Sequence, residues 1–270
     1  MDTEACCAVM QNNQNLVELF GHWKKKSPSE ELTYTDGHSE HRVVIDHGKK
    51  GFVDDGIISP EDWCERERKI LFVLKEAYYD GATEYKLCKN LREHGPWGSV
   101  WRRCAEWSYG LTESSDNAPI PAYQNLDWEK ANAYLRRVAV LNLKKSDGLS
   151  SSSLPEIEKY AEFDRVEIMQ EIKIINPDIV VCGYVFDILK KCVYGKSLTG
   201  AGEFVDKWNN NWYYWTTAMT GRPTLVIDFY HPANHFPAVL NYYALMGIYY
   251  QAIRDQVRIN SVGRPDWMKK

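Results

Sequence analysis

The sequence contains no apolar run that approaches the roughly 20 residues needed to cross a bilayer. Its 7 cysteines are odd in number and scattered, and no two are spaced CxxC. This pattern argues against a disulfide framework or a zinc knuckle and favours reduced thiols. Residues 1–10 carry acids where a secretory signal would carry basic residues. We therefore expect a soluble, cytoplasmic protein with no membrane segment and no metal site.

The chain also lacks the basic excess that is typical of nucleic-acid-binding proteins. Its 270 residues include 33 lysines and arginines against 37 acids, for a formal net charge of −4. A local basic patch can still bind phosphate on an acidic protein. Tryptophan and tyrosine are unusually frequent, at 10 and 17 residues. Most of these rings should pack in the core or on the surface, but a base-stacking site would use the same residues.

The first 60 residues differ in pattern from the rest of the chain. They contain polar runs, one convincing apolar stretch at 16–20, a lysine triplet at 24–26 and the histidines His38, His41 and His47. We interpret 1–60 as an N-terminal extension, a solvated arm rather than a metal site. Residues 61–270 should form the folded domain.

Four short apolar runs in that domain predict buried strands. They lie at 70–74, 138–143, 179–182 and 224–229. Continuous hydrophobicity indicates that both faces are covered, as in a parallel sheet between helical layers. A capping box, Ser153 to Glu156, predicts a helix that ends near Asn176, and apolar spacing from 239 to 253 predicts a closing helix. We therefore expect a three-layer α/β/α domain with a four-stranded parallel sheet.

Polar residues follow three of the four predicted strands. Glu76 follows the first strand, Asn142 ends the second and His231 follows the fourth. The carboxyl ends of parallel strands share one edge, so these side chains should line one cleft. Each residue also has a purely structural interpretation. Glu76 could cap a helix, Asn142 could bond exposed backbone and His231 could serve a turn.

The histidines and lysines at these strand ends have alternatives of their own. His231 and His235 have the spacing of a zinc pair, but two nearby prolines argue against the helix that such a pair requires. Lys144 and Lys145 could be solvated or could contact phosphate. The aromatic stretch at 209–217 is most simply an edge hairpin that packs its rings.

The order of these segments resembles the uracil-DNA glycosylase superfamily, most nearly its family-four branch. Four segments between about residue 68 and residue 255 carry the resemblance: Glu76-Ala77, the loop at 142–148, the stretch at 175–181, and Tyr230-His231-Pro232-Ala233. That branch holds an iron–sulfur cluster, and one of its cysteines lies where this chain has Lys145. We therefore expect no cluster and no cofactor. Tyr78-Tyr79 replaces the Pro-Gly of the family's first loop, and Lys75 replaces its glycine, which leaves the substrate open.

The resemblance also implies a role for each residue. Glu76 would position or activate water and steady a cationic sugar, and His231 would face the oxygen of the departing base. Asn142 would read the base edge through its amide. These roles suit hydrolysis of the N-glycosidic bond of uracil or a related altered base.

A target base must leave the duplex before it can be cleaved, so a stacking platform and an apolar wedge are expected. Tyr78 is the candidate platform, with Trp97 and Trp101 as rivals, and Phe236 is the candidate wedge. The partner would be DNA, single- or double-stranded, or a nucleotide. The alternatives are a catalytically silent member that binds nucleic acid or nucleotide, and a small-molecule nucleoside or nucleotide N-glycosidase.

Overall fold

The computed structural model describes residues 3–64, 68–79, 84–114, 119–148, 150–194, 212–217 and 219–256. The helices in these ranges are α1 (Thr3–Trp23), α2 (Pro60–Cys64), α3 (Leu87–His94), α4 (Gly98–Glu113), α5 (Trp128–Leu135), α6 (Leu154–Phe163), α7 (Arg165–Ile175), α8 (Phe186–Ile188) with a following π-helical segment (Leu189–Tyr194), and α9 (Ala238–Gln256). The strands are β1 (Leu32–Asp36), β2 (Ser39–Val43), β3 (Val53–Asp54), β4 (Gly56–Ile57), β5 (Ile70–Tyr78), β6 (Tyr85–Lys86), β7 (Val138–Gly148), β8 (Ile179–Gly183), β9 (Tyr213–Thr216) and β10 (Thr224–Phe229). Among these helices, none has the length and apolar character to cross a bilayer.

A mixed six-stranded sheet in the order β4-β7-β5-β8-β10-β9 forms the centre of the fold. The four strands expected from the apolar runs are its inner strands, and each is parallel to its inner neighbours. Strands β4 and β9 add antiparallel edges. The expectation of a sheet with only four strands is therefore wrong. The aromatic stretch expected at an edge supplies β9, while residues 209–211 lie outside the described ranges.

Helices cover both faces of this sheet. Alternate strand residues point to opposite sides, so apolar side chains emerge on each face and pack against helices. In β5, Phe72 and Leu74 enter a core with α4, α5 and α9. Leu71 and Val73 enter a second core with α1, α6 and α7. All four side chains are buried. The general α/β class predicted from the sequence is confirmed.

The N-terminal segment is an integral part of the second core. Leu16, Phe20 and Trp23 of α1 are buried there, and Gly56 and Ile57 form an edge of the main sheet. The interpretation of this segment as a solvated arm is therefore wrong. Its apolar positions are spaced three, four and seven residues apart along one helical face, but intervening polar residues obscure them in the sequence.

The lysines and one histidine of this segment also take part in packing. Lys26 Nζ lies 2.8 Å from Glu167 Oε2 and 3.3 Å from Asp164 Oδ1. The buried His47 places Nε2 2.9 Å from Asp164 Oδ2. Asp164 separates α6 from α7, so the single helix predicted from 153 to 176 is two helices. Ser153 does cap the first of them, because its hydroxyl accepts from the Glu156 N–H at 3.5 Å.

Two helical glycines provide a matched test of how closely α4 packs on α9. A Cβ at Gly110 of α4 would lie 2.6 Å from Tyr242 Cε2 and 2.7 Å from Met246 Sδ, whereas a Cβ at Gly247 of α9 would meet nothing within 4 Å. We expect Gly110→Ala to lower the free energy of unfolding by about 1–3 kcal/mol through overpacking. Gly247→Ala should be neutral or stabilising by up to about 1 kcal/mol. Denaturant unfolding measures both, and equal effects would contradict this packing.

Candidate functional site

An open cleft of about 420 Å³ lies at the carboxyl end of the parallel strands. It is lined by Glu76 and Tyr78 at the end of β5, Asn142 of β7 and His231 after β10. The sequence predicted that these polar side chains would share a cleft, and the structure places them together. The cleft has the size of a small-molecule site. It combines convergent polar groups with a largely apolar wall, to which Leu74, Ala77, Leu87, Val100 and Trp101 contribute.

Glu76 belongs to a nearly buried chain of charges. Its Oε2 lies 3.1 Å from Lys144 Nζ, and the same ammonium lies 3.0 Å from Glu156 Oε1. The pairing follows from the sheet, since Glu76 and Lys144 are register partners on β5 and β7. Burial alone would lower the pKa of Lys144, but the two carboxylates outweigh it and the pKa is raised. The Glu76 carboxylate is thus held at the cleft by a charged partner.

Asn142 is buried and oriented by Asp55, a residue of the N-terminal segment. The backbone N–H of Asn142 donates to Asp55 Oδ2 at 2.7 Å, and its side-chain Nδ2 donates to the same oxygen at 3.1 Å. Asn142 therefore does more than satisfy exposed backbone at a strand end. Its amide occupies a defined position in the wall of the cleft.

His231 is held as a neutral imidazole. Its Nδ1 accepts the backbone N–H of Ala233 at 3.1 Å. Burial, and next the charge of Lys75, lower the pKa of His231 to about 4. A neutral ring whose Nδ1 is an acceptor carries its proton on Nε2. At neutral pH the ring therefore offers one N–H donor and no positive charge.

The expected stacking residues lie around the opening. Tyr78 is 76% exposed, Trp97 is 37% exposed, and Trp101 is nearly buried in the cleft wall. Exposure of this size leaves the Tyr78 ring free to cover a ligand. Trp97 and Trp101 contact each other with ring centroids 6.4 Å apart, so they form a second aromatic surface on the same cleft.

Phe236 lies on the loop that carries His231. It is 54% exposed, and its ring packs edge-on against Tyr230 with centroids 5.4 Å apart. Arg103 of α4 holds the loop by donating to the carbonyls of Pro232 at 2.6 Å and Asn234 at 2.8 Å. A third bond from the same guanidinium reaches the carbonyl of Phe236 at 3.2 Å. The backbone that carries the exposed Phe236 ring is therefore held in place by three hydrogen bonds from Arg103.

Lys144 and Lys145 do not fit the predicted role of phosphate contacts. The Lys144 side chain is 3% exposed and lies between Glu76 and Glu156. The Lys145 side chain is fully buried, contacts Asp55 and lies 2.8 Å from Glu171 Oε2. An ammonium buried against two carboxylates cannot reach a nucleic-acid backbone. The prediction fails because the acidic partners are distant in sequence.

A larger cavity of about 560 Å³ lies apart from the predicted site residues. Its wall includes Tyr34 of β1, Glu158 of α6, and Tyr184, Asp187 and Asp228 near the ends of β8 and β10. Burial, and next the charge of Asp187, raise the pKa of Asp228 to about 7. We place the candidate site in the smaller cleft because the neutral histidine, the oriented amide and the paired carboxylate meet there.

Among the described residues, one group has its potential metal ligands close together. It consists of Glu158, Glu162 and Cys192. Lys191 contacts Glu158 and lies 3.9 Å from Glu162, so it already offsets their charge. Burial, followed by the two carboxylates, raises the pKa of Cys192 to about 11, which keeps the thiol protonated and makes it a poor ligand.

Sequence reasoning missed three residues that shape the cleft. Asp55 orients Asn142, Lys75 lowers the pKa of His231, and Arg103 braces the loop after β10. In the sequence, Lys75 stands out only as a departure from the family pattern. Asp55 and Arg103 lie in segments that show no motif, so the sequence offers no signal for either.

No protein-family model matches the chain, and no curated protein sequence matches it. The geometry of the cleft and the motif resemblance therefore carry the functional argument.

The state of His231 can be measured directly. We expect its imidazole to titrate with a pKa of about 4, well below the usual 6.5. Lys75→Met should raise that pKa only part of the way, because burial is the larger cause. Lys49→Gln, at a lysine that is 85% exposed and paired with Asp46, should leave it unchanged. Nitrogen-detected NMR titration reports all three values, and a wild-type pKa near 6.5 would refute the neutral assignment.

Proposed function

We propose that this chain is an N-glycosidic hydrolase of the uracil-DNA glycosylase type, which removes uracil or a related altered base. The observation that carries the proposal is the meeting of Glu76, Asn142 and neutral His231 in one cleft. The order of the segments resembles that of the uracil-DNA glycosylase superfamily. The parallel inner strands of the sheet are compatible with such a fold. An uncharged histidine donor and an oriented amide can hydrogen-bond to the edge of a base. A carboxylate can stabilise positive charge on the sugar.

The chemistry follows from the charges that develop as the bond breaks. The electrons of the N-glycosidic bond leave with the base, so negative charge grows on the base and positive charge on the sugar. His231 would donate from Nε2 to a base oxygen and stabilise the first charge. Glu76 would stabilise the second and accept a proton from the water that adds to the sugar carbon. The base anion then takes a proton from solvent and Glu76 returns its proton to solvent, so the products are the neutral base and a sugar with a hydroxyl in its place.

Two exposed rings support a role in base extrusion. Tyr78 at the cleft mouth would stack on the target base, and Phe236 would enter the space that the base vacates. The three bonds from Arg103 to the Phe236 loop suit a wedge, because a wedge must keep its shape against a stacked duplex.

The burial of Lys144 and Lys145 favours a second candidate, a hydrolase of free nucleosides or nucleotides. The two lysines expected to bind a phosphate backbone are committed to ion pairs, and the chain has a formal net charge of −4. Phosphate contacts supply much of the affinity of proteins for DNA. Lys75 affects the pKa of His231, but it is not among the residues that line the cleft, and its ammonium lies 5.0 Å from the ring centroid of Tyr184 in the larger cavity.

Replacement of Glu76 tests the proposed chemistry. Glu76→Gln should slow cleavage by about 10²-fold or more while substrate affinity changes little, because the carboxylate acts on charge present only in the transition state. The assay measures base release from uracil-, hypoxanthine- and xanthine-containing oligonucleotides, single- and double-stranded, and from the matching nucleosides. Glu158→Gln, which changes an acid of the larger cavity, is the control and should retain activity.

A wild-type chain that is inert on every one of these substrates would overturn the hydrolase and favour a protein that only binds nucleic acid or nucleotide. A fully active Glu76→Gln variant would remove Glu76 from the mechanism.

The proposed wedge makes a separate prediction about strandedness. Phe236→Ala should weaken productive binding to a duplex more than to a single strand, because only a duplex requires extrusion of the base. Val166→Ala removes an apolar side chain of similar exposure, 60%, from α7 and should affect neither. The comparison uses fluorescence anisotropy and single-turnover rates on the two substrates. Equal losses on both would assign Phe236 a role other than a wedge.

A further inference from the structure

Asp55 connects the N-terminal segment to the candidate site. It lies between β3 and β4, and its side chain is fully buried. Its two oxygens have different partners. Oδ2 accepts both N–H groups from Asn142, and Oδ1 contacts Lys145 Nζ. The carboxylate therefore sits between the amide that lines the cleft and a buried cation.

The chemistry of this contact determines which way the amide of Asn142 faces. An ionised carboxylate can accept hydrogen bonds but cannot donate them. Only the nitrogen of the amide can therefore face Asp55 favourably, at the observed 3.1 Å. Turning the amide over would place Oδ1 against Oδ2 of Asp55, two acceptors in a buried site, and would lose the bond.

The buried cation in turn keeps Asp55 in place. Lys145 Nζ lies between Asp55 and Glu171 and is 2.8 Å from Glu171 Oε2. Burial alone would lower the pKa of Lys145, but the two carboxyl groups raise it, so the ammonium stays charged. The Lys145 ammonium therefore holds Oδ1 of Asp55 while Oδ2 faces the amide of Asn142.

We propose that Asp55 is a positioning residue that locks the amide of Asn142 and so sets which base edge the cleft reads. The inference rests on the proposed function. A locked amide presents its oxygen to ligands that carry a ring N–H next to a carbonyl, as uracil, hypoxanthine and xanthine do. Cytosine offers a ring acceptor next to an amino group, and pairing with it would require the amide to turn over. Asp55 thus disfavours cytosine without touching it.

The test compares the affinities of the wild-type chain and Asp55→Asn for free uracil and free cytosine by calorimetry. An asparagine at 55 can donate as well as accept, so the lock is released. We expect the preference for uracil to fall by about tenfold or more, the scale of one buried hydrogen bond. In an Asn142→Ala background, Asp55→Asn should have no further effect on uracil affinity.

Asp164→Asn is the matched control, since Asp164 is equally buried and ion-paired but contacts His47 and Lys26 instead of Asn142. It should lower stability without changing the preference. An unchanged preference in Asp55→Asn, or an equal change in Asp164→Asn, would overturn the role of Asp55.

A measurement on the wild-type chain alone remains decisive if Asp55→Asn fails to fold. The lock predicts that one Asn142 Nδ2 proton exchanges with solvent at least tenfold more slowly than those of an exposed asparagine side chain, as seen by NMR. Fast exchange of both protons would overturn the lock. Absence of binding to uracil, hypoxanthine and xanthine by the wild-type chain would instead overturn the proposed function, and the exchange rates would still decide the lock.

Discussion

The buried ammonium of Lys145 is the interaction on which the arrangement of this protein depends. It joins three parts of the chain, because Lys145 lies on β7, Asp55 in the N-terminal segment and Glu171 on α7. Removing a charge from water costs several kcal/mol unless good partners surround it, so such a cluster tolerates few alternative geometries. Loss of either acid would leave a poorly compensated charge in the core. The cluster thereby ties the first 60 residues to the sheet and places Asp55 beside Asn142.

The two adjacent lysines on β7 have different acidic partners and different roles. Lys145 serves the buried cluster, and Lys144 pairs with Glu76 at the cleft and with Glu156 on α6. Both cations therefore organise acids instead of binding phosphate. The cleft that results contains a paired carboxylate, a fixed amide and a neutral imidazole, a set suited to bond cleavage at a base-bearing sugar.

Local hydrophobicity made the inner strands and the convergence of Glu76, Asn142 and His231 predictable. Continuous apolar runs identify strands covered on both faces, and parallel strand ends must meet at one edge. The contacts that orient the site residues could not be predicted, because they join residues far apart in the sequence. Asp55 is 90 residues from Lys145, and no local pattern links them. The edge strand β4 has two residues, too short for an apolar signal.

The smaller cleft, rather than the larger cavity, is the proposed site of base binding. Titration of the isotope-labelled wild-type chain with free uracil and hypoxanthine, followed by NMR shift mapping, tests it most directly. If the base binds in the smaller cleft, the largest shifts will occur at the Asn142 side-chain amide, the His231 imidazole and the backbone of Glu76 and Tyr78. Shifts confined to residues 33–35, 184–188 and 228 of the larger cavity, or no shifts at all, would contradict it.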